Sequence, residues 1–193
     1  MRTAVPNPWI DAAMASAVRV TRARLLSGVV VVGIVLSAAA AQADEIRGTV
    51  LRVADGDTIL VLTTDSRRRS IRIVGIDAPE SAQPFGRESR ESLARLVAGG
   101  EVRAECPKPS GSGGLVCNVW ARPTDCATCA QTINVGLAQI AAGMAWWYRR
   151  YAMEQVPEVR ARYEAEEQTA RAHKRGLWAD AKPVPPWDWR RAR

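Results

Sequence analysis

The chain has 193 residues, with 27 Lys or Arg against 20 Asp or Glu, for a formal net charge of +7. That length suits one ordinary domain with its own core, and no internal repeat or second domain is visible. A single histidine and irregularly spaced cysteines argue against a zinc site.

Residues 1–43 do not read as part of the folded domain. Arg19, Arg22 and Arg24 precede an uncharged run over residues 25–41, and Ala41-Gln42-Ala43 fits a small-x-small cleavage pattern. This is the pattern of a secretory signal, and cleavage is expected after Ala43. An uncleaved anchor is the alternative. It is disfavoured because the bulky stretch, residues 25–36, is short against the ~20 apolar residues a spanning helix needs. The expected destination is therefore secreted or periplasmic. Residues 44–193 keep 23 basic and 19 acidic side chains, a net +4. Such a charge attracts polyanions without identifying one.

From Gly48 the sequence reads as a β-meander. Residues 49–53 form a strand ending in the Asp55-Gly56 turn signal, residues 58–63 the next, residues 65–70 a polar turn, and residues 71–76 a third strand. Arg67-Arg68-Arg69 falls in that turn as a solvated charge run. A helix follows over residues 85–97, with Leu93, Leu96 and Val97 at helical spacing and Gly99-Gly100 as its stop. Residues 101–106 and 115–120 are the fourth and fifth strands, joined by a Pro/Gly/Ser-rich loop.

The four cysteines, Cys106, Cys117, Cys126 and Cys129, all lie beyond the signal, and an even count in an exported chain reads as disulfides. Three connectivities exist. Cys106 with Cys117 and Cys126 with Cys129 is preferred, the first closing a hairpin and the second a tight loop. A thioredoxin-like role for Cys126-Ala127-Thr128-Cys129 would need that motif where a strand opens a helix. Here it follows Pro123 and Asp125, which favours a staple.

Ile133, Leu137, Ile140, Ala141 and Met144 make one apolar helical stripe. A last helix starts near Pro157 and ends near Lys174-Arg175-Gly176. Residues 44–181 thus form the domain. Residues 182–193 are a Pro/Trp-rich tail that Trp187 and Trp189 are expected to pin. Five short strands with three flanking helices indicate an α+β fold that is mainly barrel, with a five-stranded OB-type barrel leading. His173 lies in a basic helix end and reads as solvated. Trp146 and Trp147 read as core.

Chemistry concentrates in Asp55-Gly56-Asp57-Thr58 and in Arg72-Ile73-Val74-Gly75-Ile76-Asp77-Ala78-Pro79-Glu80. Carboxylates suit a hard cation and arginine suits a phosphate. Each piece alone has a plainer reading. Asp-Gly is a hairpin signal, and Asp77 to Glu80 places acids before a helix. Their joint occurrence in an exported basic barrel favours chemistry. Asp55 reads as a turn former.

These segments resemble the staphylococcal nuclease (thermonuclease) family. The likeness continues through Phe85-Gly86, Gly143-Met144-Ala145-Trp146-Trp147-Tyr148, Arg175-Gly176-Leu177-Trp178 and Pro185-Pro186-Trp187-Asp188-Trp189, and spans residues 46–189. It implies an OB-fold enzyme hydrolysing DNA and RNA phosphodiesters with Ca²⁺. By position, Asp57 and Asp77 would ligate the metal and Ala78 would add its backbone carbonyl. Arg72 would grip the scissile phosphate, Glu80 would position or deprotonate the attacking water, and Tyr151 would contact the nucleotide. One departure stands out. The family's second arginine falls where this chain has Gly113 or Gly114, and no arginine lies between Arg103 and Arg122. Arg103, Arg122 and Arg149 are the candidates to replace it. The reading is an exported Ca²⁺-dependent nuclease, a monomer with DNA or RNA as its partner. The alternatives are a catalytically weak or inactive nucleic-acid-binding module and a structural envelope protein.

Overall fold

The computed structural model describes residues 44–109, 114–126 and 128–192. The signal segment and residues 110–113 of the Pro/Gly/Ser loop, Gly113 included, lie outside the described residues.

Five strands close a barrel: β1 (Asp44–Val53), β2 (Thr58–Thr63), β3 (Arg68–Ile73), β5 (Glu101–Pro109) and β6 (Leu115–Ala121). Neighbours run in the order β3-β2-β1-β5-β6, all antiparallel, and a parallel β3–β6 pair joins the two ends. Closure removes the exposed edges that an open sheet would present. The two-residue alternation of the strands drives it. Ile59, Val61, Ile71, Ile73, Val102, Ala104, Cys117, Val119 and Ala121 point inward and are buried. A register shift between Val50 and Arg52 bends β1 around the barrel.

Two strands of two residues each, β4 (Ile76–Asp77) and β8 (Trp146–Trp147), pair apart from the barrel, and β7 (Ile133–Asn134) pairs antiparallel with the end of β6. The third strand is therefore interrupted. It begins at Arg68, inside the expected turn, and breaks after Ile73, because Gly75 adopts a φ of 76° that redirects the chain. Arg68 and Arg69 are strand residues opposite Leu62 and Val61.

Helix α1 (Gly86–Val97) buries Leu93 and Val97 against the barrel, and α2 (Val135–Ala141) buries Val135 and Ile140. The Asn134 side chain caps α2 by accepting the Leu137 amide at 2.9 Å. Helix α3 (Pro157–Ala172) starts on proline and packs on α2 through Tyr163, whose buried hydroxyl donates to Asn134 Oδ1. Burial pushes the Tyr163 phenol up to about 12. Beyond the three expected helices lies a fourth, α4 (Pro186–Arg191), in the Pro/Trp-rich tail.

Trp146 and Trp178 form a second small core with Leu177 and Ala170, and Trp187 of α4 packs against it. The rings of Trp146 and Trp187 meet edge to face at 5.6 Å. The preferred disulfides are present: Cys106–Cys117 links β5 to β6, and Cys126–Cys129 closes a loop after β6 rather than opening a helix. Among the described residues no helix is long and apolar enough to cross a membrane.

Candidate active site

The loop between β1 and β2 is shaped by short polar contacts. The Asp57 amide donates to Asp55 Oδ1 at 3.1 Å, which is the turn role expected of Asp55. Thr58 Oγ1 donates to Asp57 Oδ1 at 2.7 Å. Gln139 of α2, fully buried, donates through Nε2 to the carbonyls of Gly56 and Ser89 and accepts from Ser92 Oγ at 2.7 Å. A Cβ at Gly56 would overlap Ser89 Oγ, so only glycine lets α1 come this close to the loop. The Asp57 carboxylate ends up 3 % exposed, and the Ala78 amide donates to its Oδ2 at 3.2 Å.

Asp77, 1 % exposed, comes from β4, where it pairs with Trp146 of β8. Arg72 comes from β3, paired with Thr58 on one side and Val116 on the other. Its Nη2 lies 2.8 Å from Asp57 Oδ2 and 2.7 Å from Asp77 Oδ1. Glu80 sits in the loop before α1. Gln83 holds that loop by accepting the Glu80 amide at 3.1 Å and donating to the Val184 carbonyl at 2.6 Å. A Cβ at Gly86 would overlap the Glu80 carbonyl oxygen.

The structure thus brings together Asp57, Asp77, Ala78, Arg72 and Glu80. Tyr151 is not among them. It is half-exposed on the short helical turn Arg149–Glu154, its ring 5.4 Å from that of Tyr148. Tyr148 in turn meets Trp187 in a tilted ring contact at 5.4 Å. None of the three candidate replacement arginines joins the carboxylates. Arg103 pairs with Glu105 and lies over Trp120, Arg122 bonds Glu101, and Arg149 bonds the buried Glu167. Trp146 and Trp147 are buried, as expected of core residues, and His173 is exposed at the end of α3.

A residue from α4 does join. Arg190 Nη2 lies 2.7 Å from Asp77 Oδ2, and its Nη1 lies 3.2 Å from Asp77 Oδ1 and 2.6 Å from Glu80 Oε1. The site is therefore an alternating row: Asp57, Arg72, Asp77, Arg190, Glu80. Sequence reasoning missed Arg190: Trp187 and Trp189 were expected to pin the tail, but nothing indicated that the arginine after Trp189 would reach the carboxylates. Burial pushes the Asp57 carboxyl up to about 7 against the pull of Arg72, whose nitrogen is shared with Asp77. The Asp77 hydrogen bond raises the Arg190 guanidinium still further above its ordinary value.

The donor set fits a hard cation. Two buried carboxylate oxygens from different strands converge on one positively charged nitrogen of Arg72, and oxygen-rich, charge-bearing surroundings of this kind also suit a divalent ion. Among the described residues no three His, Cys, Asp or Glu side chains are gathered as a ready cluster. The set here is two carboxylates, with Glu80 drawn to Arg190.

Comparison with known proteins identifies the lineage. The family model for staphylococcal nuclease homologues matches residues 70–180. The chain belongs to that family. It is 41% identical over 147 residues to an uncharacterized endonuclease of Escherichia coli, covering 76% of this chain and 86% of that protein. It is 38% identical over 148 residues to a micrococcal nuclease of Shigella flexneri, covering 77% and 82%. A 31% identity over 172 residues, covering 89% and 87%, links it to an uncharacterized endonuclease of Haemophilus influenzae. The enzyme class that follows is a nuclease-type hydrolase on an OB-fold barrel. Arg190 lies outside the segment matched by the family model.

Proposed function

We propose that this protein is an exported, calcium-dependent nuclease that hydrolyses phosphodiester bonds of DNA and RNA. The observation that carries the reading is the convergence of buried Asp57 and Asp77 on Arg72, with Glu80 in the same ion-pair row. Family membership supports the reaction class. Two disulfides among the described residues support an oxidising compartment, in line with the signal pattern at the N-terminus.

Asp57, Asp77 and the Ala78 carbonyl would hold the ion. When bound, Ca²⁺ supplies charge that polarises the phosphoryl group. Arg72 neutralises negative charge that grows on the phosphoryl oxygens, by a charge-assisted hydrogen bond. Glu80 accepts a proton from water as its oxygen attacks phosphorus in line with the departing ester oxygen. One P–O bond forms and one breaks, and the leaving oxygen takes up a proton. Tyr151, half-exposed and in ring contact with Tyr148, would meet the nucleotide.

The test uses the oxidised protein and single-stranded DNA. Cleavage is expected with Ca²⁺ and none with a chelator. Glu80→Gln is expected to slow cleavage by about 10²–10⁴-fold. Cleavage that persists in chelator, or that ignores Glu80→Gln, overturns the reading. DNA binding without cleavage at any calcium concentration would instead identify a binding module.

A further inference from the structure

We infer that Arg190, carried by the C-terminal helix α4, is the site's second phosphate-contacting guanidinium. The inference rests on the nuclease reading above and adds a residue that neither the sequence motifs nor the matched family segment contains.

Position comes first. Arg190 is the described arginine other than Arg72 that bonds a candidate catalytic carboxylate, and it bonds two: Asp77 and Glu80. The strand position expected to supply a second arginine is glycine, and Arg103, Arg122 and Arg149 are engaged elsewhere. Charge comes second. Asp57, Asp77 and Glu80 against Arg72 and Arg190 leave one surplus negative charge. Adding a divalent cation turns that into one surplus positive charge, which matches the single charge of a phosphodiester. Without Arg190 the loaded site would be neutral and would offer one arginine to a transition state that carries additional negative charge.

Geometry supplies the third argument. The two ends of the guanidinium do different work. Nη1 makes its shorter contact with Glu80 at 2.6 Å and a longer one with Asp77 Oδ1 at 3.2 Å, whereas Nη2 contacts Asp77 Oδ2 at 2.7 Å. If Asp77 holds the ion, Nη2 would lose its carboxylate partner while Nη1 keeps Glu80. Arg190 would then have a donor to offer beside the carboxylate assigned to the attacking water. The side chain is 41 % exposed, so it faces the solvent from which a substrate would arrive. Its planar fork suits phosphate as well as carboxylate. The aromatic contacts of Trp187 with Trp146 and Tyr148 fix the helix that presents it.

The experiment measures kcat, KM and calcium affinity for Arg190→Ala in the full chain, with Ca²⁺ binding followed by tryptophan fluorescence on a substrate-free sample. At saturating calcium, kcat is expected to fall about 10²–10³-fold, the usual loss for one preorganised donor. Added guanidinium ion is expected to restore part of it. Calcium affinity is expected to rise several-fold, because a competitor for Asp77 is gone. Three outcomes overturn the inference: kcat held or raised, which makes the contact an inhibitory latch; kcat lost without rescue in a protein that still melts cooperatively; and calcium affinity left unchanged. If the Ala variant does not fold, Arg190→Gln, which keeps a donor for Asp77 but no charge, is judged by the same three readouts. A wild-type protein that fails to cleave would defeat the nuclease reading itself. A cleaving wild type with an equally active Arg190→Ala would defeat only this inference.

Discussion

The two arginines on the carboxylate row are held in opposite ways. Arg72 sits next to the end of β3, with ladder partners on both sides, in the parallel pair that closes the barrel. Moving it means opening the fold. Arg190 sits on a six-residue helix attached by the edge-to-face contact of Trp187 with Trp146, a tilted contact with Tyr148 and its own ion pairs. One guanidinium belongs to the scaffold and the other is delivered to it. A strand register can thus specify a catalytic side chain from local sequence, whereas a docked helix specifies one only through tertiary contacts.

The strongly held arginine offers the most severe test of this contrast. Arg72→Ala should cost the most, about 10³–10⁵-fold in kcat by analogy with transition-state arginines in phosphoryl transfer. It also leaves Asp57 and Asp77 facing each other without their shared partner. Single-turnover cleavage at saturating calcium measures it, and a loss below tenfold would put Arg72 outside the reaction. The weakly held arginine is tested by Trp187→Ala, which removes the attachment while leaving Arg190 in place. Activity should fall by up to about 10³-fold, the upper end of the donor's own worth. Stability should fall by about 1 kcal/mol for each of the two aromatic pairs that Trp187 makes with Trp146 and Tyr148. Melting curves and kcat read on the same samples decide it. Unchanged activity would mean that the ion pairs alone dock α4.

The smallest effect concerns Asp57. Its folded pKa of about 7 lies above the ordinary 3.8. Between those values the metal-free folded protein therefore holds a proton that the unfolded chain has released. Stability on this account is fully present below about pH 4 and declines as pH rises toward 7. In chelator, the melting temperature of wild type should drop across that window more steeply than that of Asp57→Asn. Parallel curves would remove the buried carboxyl as the cause.

Much of this molecule was legible in its sequence. The inward Ile59, Val61, Ile71 and Ile73 follow a period of two, and Asp55-Gly56 marks the turn that carries Asp57. Arg72, Asp77 and Glu80 could be named because they lie within nine positions on adjoining elements. Other features were not legible, and distance in the chain is the reason. Arg190 reaches Asp77 across 113 positions and Gln139 reaches Gly56 across 83, so no periodicity links them. The short β4–β8 pair gives too little pattern to see. The Pro-rich composition of the tail gave no helical pattern, although a proline at the first turn is compatible with the helix that follows.

Gly56 and Gly86 bear on how this enzyme tolerates change. Neither carries a functional group, yet a single methyl at either position would collide with Ser89 or with the Glu80 carbonyl and displace a carboxylate of the site. Exposed positions of the barrel such as Leu51 and Leu62 have no such neighbour constraint from burial. Under random mutation, the positions around the site least open to substitution thus include two that no chemical reading of side chains would single out. Glycine is required at both places for want of space rather than for any chemistry that glycine performs.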